Sequence, residues 1–117
     1  MPAVPINGIR ISYEERGRGW PLVLVHPFAG TARFWEPQVE RLSSRYRVVT
    51  FDARGHDASE VPTTDAAYDE GIFVEDLRHL LGHLGIGRAC VGGLSMGGNI
   101  ALRFDLTHPD LVDGLII

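Results

Sequence analysis

The sequence predicts an α/β fold: a mostly parallel sheet with an antiparallel hairpin at its N-terminal edge and helices crossing between the later strands. Three observations predict it. Asn7-Gly8 sits between two short segments of strand character, a strong hairpin signal. Short apolar runs recur at 21–25, 47–51, 88–92 and 111–117, separated by stretches of helical spacing. Gly93-Leu94-Ser95-Met96-Gly97 joins one of these runs directly to a helix-like stretch.

The elements follow in order. Residues 4–6 and 9–15 form the hairpin at a sheet edge, and Gly17-Arg18-Gly19 turns the chain. Pro21-Leu22-Val23-Leu24-Val25 reads as a buried strand. Thr31 caps a helix over 32–44, with Phe34, Trp35, Val39 and Leu42 on one face. Arg47-Val48-Val49-Thr50-Phe51 is the next strand, and 52–69 a polar loop. Ile72, Phe73, Leu77, Leu80, Leu81 and Leu84 make one stripe on a helix over 70–84, which Gly85 and Gly87 end. A strand over 88–92 leads to a helix over 97–107, stopped by Pro109. The last apolar strand runs from Leu111 to Ile117.

Composition narrows the function classes. Hydrophobic residues are 44% and charged residues 22% of 117, as in a soluble globular domain able to bury a core. The net charge is −4, and the positive charges are all Arg and scattered, which argues against nucleic acid as a partner. No apolar run approaches the roughly 20 residues of a membrane span. The N-terminus lacks the basic and apolar regions of a secretory signal, so the expected location is cytoplasmic, with no membrane partner. The single Cys90 excludes an internal disulfide and reads as a small buried hydrophobe. No Cys/His cluster has metal-ligand spacing, and neither metal nor cofactor is expected.

The chemistry centres on Ser95. A serine on a tight strand-to-helix turn is forced into strained backbone, and small flanking residues let the turn close with the hydroxyl exposed. The Met96 N–H opens the helix and points into the same space, where it can bind a developing oxyanion. The alternative is a Gly-rich turn with an idle serine. Two more segments stand in order before it. His26-Pro27-Phe28-Ala29-Gly30 follows one strand, and Asp52-Ala53-Arg54-Gly55-His56-Asp57-Ala58-Ser59 follows the next.

With these three motifs the chain, from about Ile9 onward, resembles the α/β-hydrolase family. The motifs are an H-G-x-x-G-like oxyanion loop, a D-x-R-G-H-G-x-S-like loop and the G-x-S-x-G elbow. Gly93 to Gly98 and Trp35-Glu36-Pro37-Gln38 look most similar to carboxylic-ester hydrolases and 3-oxoadipate enol-lactonases. The resemblance implies Ser95 as nucleophile, the Phe28 and Met96 amides as oxyanion hole, and a small-molecule ester or lactone as substrate. Serine at the elbow argues against relatives that form an ester through Asp, such as haloalkane dehalogenases and epoxide hydrolases. Two positions depart from the pattern. Pro27 stands where the family usually has Gly; it lacks an N–H, but the oxyanion donor is expected one residue later, at Phe28. Asp57 replaces a Gly and is tolerated less well if φ there is positive.

A serine needs a base, and the family order is Ser, then Asp or Glu, then His. After Ser95 come Asp105, His108, Asp110 and Asp113. His108 lies at the far end of the elbow helix, about 20 Å away at about 1.5 Å per residue, and the last two acids share that edge. None completes a triad. His26 and His56 end on the catalytic edge; holding the loops is the first reading of both and a base role the second. His79 and His83 read as a solvated helix face rather than a metal pair, and Asp52 with Arg54 as an ion pair holding its loop.

Two functions follow. In the first, residues 1–117 are the N-terminal part of a single α/β-hydrolase domain, truncated after about the sixth strand. The parent is a serine hydrolase whose acid and base are missing from this chain, so the chain alone is inactive. In the second, the chain is an incomplete domain or interaction module that self-associates through the open edge from Leu111 to Ile117.

Overall fold

A computed structural model describes residues 2–117. Six strands form one sheet in the order β1-β2-β4-β3-β5-β6. β1 (Ala3–Ile6) and β2 (Ile9–Arg16) make the expected hairpin through Asn7 and Gly8, both at positive φ. β2 runs antiparallel to β4 (Tyr46–Phe51). From there the sheet is parallel: β4 beside β3 (Trp20–Val25), β3 beside β5 (Ala89–Gly93), and β5 beside β6 (Val112–Ile116).

The period-2 pattern of the central strands sorts side chains onto two faces. Val23, Val25, Val49, Phe51 and Val91 point to the larger core, closed by α2 (Glu70–His83) and α3 (Met96–Thr107). Leu22, Leu24 and Val48 point the other way and meet Val39 of α1 (Glu36–Leu42). Both faces of the inner strands are covered, which explains why their sequences are continuous apolar runs.

Four expectations change. The helix expected over 32–44 is broken: Thr31 caps a 3-10 turn at Ala32–Trp35, and the α-helix restarts with Pro37 in its first turn. Of its apolar face only Val39 is fully buried. The polar loop expected over 52–69 contains a 3-10 turn at Asp65–Tyr68, and its Asp52, Ala53, Arg54 and Ser59 are buried. The expected Asp52–Arg54 ion pair does not form; Arg54 reaches Asp76 of α2 instead. Cys90 is half-buried rather than buried. Among the described residues, no helix is long and apolar enough to cross a membrane, and no group of three His, Cys, Asp or Glu could hold a metal ion.

Candidate active site

The elbow is built by missing atoms. A Cβ on Gly93 would lie 2.3 Å from the Gly97 carbonyl carbon, and one on Gly97 would lie 2.0 Å from the Val25 carbonyl oxygen. Only glycine lets the end of β5, the first turn of α3 and the end of β3 approach this closely. The same approach sets the elbow against the loop that follows β3. Ser95, between those glycines, has φ 56 and ψ −116. That backbone is strained for a residue with a side chain, at a cost of about 1–3 kcal/mol. Ser95 is exposed, and the Met96 N–H behind it starts α3 with no acceptor among the described residues.

The loop after β3 is built by added partners. Pro27 is tolerated because its carbonyl does the work: it accepts from Gly30 N at 2.9 Å and from the His26 ring at 2.8 Å. His26 is fully buried, and its Nε2 accepts from Ala53 N at 3.0 Å. The ring is thereby fixed as the neutral tautomer with its proton on Nδ1. Burial pushes its pKa below the ordinary value, and neighbouring His56 pushes the same way, against the Pro27 hydrogen bond and the Asp52 charge. His56 repeats the arrangement. Its Nδ1 donates to Arg54 O at 3.1 Å and its Nε2 accepts from Ala29 N at 3.1 Å. Ala29, at φ 63, is held by that bond, and Phe28 before it is 76% exposed with its N–H unengaged among the described residues.

Both histidines therefore hold loops, and neither has a lone pair left to take a proton from Ser95. Asp52 is the third tie, with its carboxylate accepting from Ala32 N at 2.7 Å and Ala58 N at 3.3 Å. Ser59 closes the same motif, its hydroxyl donating to Asp52 O at 2.5 Å and accepting from Ser12 N at 2.8 Å. Asp57 does sit at positive φ, 38, the condition that the family's glycine at this position suggests.

Arg54 anchors the loop from below. Its guanidinium meets both oxygens of Asp76, at 2.6 and 2.8 Å, and donates to Ala67 O at 2.8 Å. Asn7 of the first hairpin also donates to Asp76, at 3.0 Å. Sequence reasoning missed Asp76. The available signal was an acid inside the buried stripe of α2, between Val74 and Leu77, which demands a cation. His108 is spent elsewhere, bonding Glu75 at 2.6 Å across the far end of α3 and, with Arg78, lowering the Glu75 pKa. His79 donates to Glu75 O, and His83 packs edge-on against Tyr13.

Between the two loops, the start of α2 and the first turn of α3 lies an open cavity of about 560 Å³, walled by Phe28, His56, Tyr68, Phe73, Met96 and Ile100. Its size suits a small-molecule ligand. The structure brings Phe28 and Met96 to one cavity and Ser95 to the turn beside it; among the described residues no acid–histidine pair joins them.

A model of the alpha/beta hydrolase fold matches residues 21–117. A soluble epoxide hydrolase from Corynebacterium sp. (strain C12) is 36% identical over 112 residues, covering 96% of this chain and 38% of that protein. An epoxide hydrolase structure from Vigna radiata superposes with a TM-score of 0.95 at 28% identity, over 97% of this chain and 37% of that one. A thermophilic esterase structure from Thermogutta terrifontis, with malate bound, gives a TM-score of 0.93 at 34% identity, over 99% of this chain and 45% of that one. The chain thus spans less than half the length of these relatives.

Proposed function

The chain belongs to the α/β-hydrolase fold family, and from that premise we propose that it carries the nucleophile and oxyanion hole of a serine hydrolase acting on carboxylic esters or lactones. The observation that carries the reading is the strained, exposed Ser95 on a glycine-flanked elbow. Ser95 Oγ attacks the carbonyl carbon, and the Phe28 and Met96 N–H groups bind the tetrahedral oxyanion. Collapse expels the alkoxide, and water then cleaves the acyl-enzyme. The base and its orienting acid come from sequence outside residues 1–117, since His26 and His56 are fully occupied by backbone.

Two of the relatives named above are epoxide hydrolases. The chemistry of serine argues against that substrate here. Attack of a serine oxygen on an epoxide carbon would leave an ether, which water does not cleave, and the enzyme would stall after one turnover. Attack on an ester gives an acyl-enzyme that water does cleave, the chemistry of the esterase relative. A fluorophosphonate tests the reading. In the complete gene product it should label Ser95, and Ser95→Ala should lose both the label and ester turnover. Residues 1–117 alone should hydrolyse p-nitrophenyl acetate at close to background rate. Fluorophosphonate labelling at another residue would overturn the assignment.

A second reading, an interaction module, draws on β6. Its outer edge is unpaired in the sheet, and Ile116 and Ile117 are exposed. Its one charge, Asp113, is drawn back by Arg88 at 2.6 Å and Trp20 at 2.9 Å, so it does not guard the edge. On this reading residues 1–117 self-associate through β6, and light scattering over a concentration series should show mass rising with concentration. A stable monomer would remove the reading.

A further inference from the structure

The cavity beside Ser95 carries more information than its size. Its walls are rings and aliphatic groups, and their polar atoms are already used. The Tyr68 hydroxyl donates to Pro62 O at 2.6 Å, so the ring alone faces the space. Gly55, at φ 81, keeps that ring in place: a Cβ there would sit 2.6 Å from Tyr68 Cε1. Phe73 lies 6.4 Å from Tyr68 between ring centres, and Phe28 stands edge-on to His56 at 5.8 Å. Both His56 nitrogens are bound to backbone.

What stays polar in the lining is acidic or uncharged. Glu70 and Asn99 line the cavity, with the Asn99 amide donating toward Glu70 at 3.5 Å. Arg103 holds the other Glu70 oxygen at 2.6 Å but lines a separate groove with Leu106 and Thr107, not this cavity. No Lys occurs anywhere in the chain, and no Arg is among the residues that line this space. The Phe28 and Met96 amides offer hydrogen at the Ser95 end, and one N–H of Asn99 remains beside Glu70.

We propose that this cavity takes an uncharged aryl or arylalkyl group as one side of the ester and excludes substrates that carry a carboxylate. The proposal rests on the reading of Ser95 as an acyl nucleophile and deepens it. A ring entering here meets three aromatic side chains, which favour edge and offset contacts, and the Met96 thioether. A carboxylate entering here loses its water, finds no cation and faces Glu70. Such a cavity parts this chain from the enol-lactonases its motifs resemble, because a lactone of 3-oxoadipate, a diacid, keeps a free carboxylate.

Two ligands that cannot be hydrolysed separate the cases. 4-Phenyl-2-butanone presents a ring and a carbonyl without charge; 4-(3-oxobutyl)benzoate is the same molecule with a carboxylate on the ring. Equilibrium dialysis of each against the complete gene product at pH 7 should show the ketone binding at least fivefold more tightly. Phe28→Ala, an exposed position where the fold survives, should weaken the ketone at least fivefold. Glu70→Gln, also at the surface, should narrow the gap between ketone and acid at least twofold by tightening the acid. Equal or tighter binding of the acid, a ketone indifferent to Phe28→Ala, or no binding of either ligand would overturn the proposal. Fluorophosphonate labelling of Ser95 is scored separately, so a failed cavity and a failed nucleophile give different results.

Discussion

Two stretches of backbone meet beside Ser95, and opposite means hold them. The elbow keeps its shape through what is missing: Gly93 and Gly97 let three backbones pass at distances no side chain permits. The loop after β3 keeps its shape through what is added: His26, His56 and Asp52 each bind backbone across the gap between the β3 and β4 loops. The first device is local and steric. The second is long-range and polar, and it depends on protonation and on partners far along the chain. The elbow is therefore vulnerable to added atoms, and the loop to lost partners.

The largest effect should come from the polar side. Asp76→Ala strips the partner from a buried guanidinium, 5% exposed, and also from Asn7. The expected loss is about 3–5 kcal/mol, read as a fall in the urea midpoint. A loss under about 1 kcal/mol would mean that water reaches Arg54, and that the loop does not depend on it. The steric side comes next. Gly97→Ala drives a Cβ into the Val25 carbonyl, and the expected cost is about 2–3 kcal/mol, with altered packing between α3 and β3. A neutral outcome would show that the elbow relaxes freely and would undo the contrast.

The smallest effect should separate the two devices without a large change in structure. The folded-state pKa of His26 is lowered, so the unfolded chain binds its proton more readily than the folded one. The stability this contributes is present above the unfolded imidazole value, about 6.5, and is lost as pH falls toward the folded value. Lowering the pH from 7 to 5 should therefore reduce Tm and lower the protection factor of the Ala53 amide, taken relative to its intrinsic exchange rate at each pH, while the protection of the Gly97 and Asn99 amides changes less. An equal loss of protection at both places would mean the loops and the elbow open together.

The steric half of the site is legible in the sequence because it is written in adjacent residues. Gly93 to Gly97 names the turn, its strain and its exposed serine at once, and the strands themselves are marked by the apolar runs. The polar half is only partly legible. Asp52, Arg54, His26 and His56 stand out as residues, but their partners do not, because each bond crosses from one loop to another element. Arg54 is 22 positions from Asp76, and His56 is 27 from Ala29. The nearest acid in sequence, Asp52, was the wrong partner because its carboxylate is spent on the Ala32 and Ala58 amides. The cavity wall from Tyr68 and Phe73 is hidden for the same reason: a loop brings the first of these rings over the elbow only in the folded chain.

The strand order also fixes which additions are possible as the chain emerges during synthesis. The hairpin needs only neighbouring residues. β4 lies between β2 and β3, so β3 has its place beside the hairpin only once β4 is present, whereas β5 and β6 each add to an existing rim. The rim left at the end lies two strands from β3, and a newcomer could join there without disturbing the His26 and His56 ties.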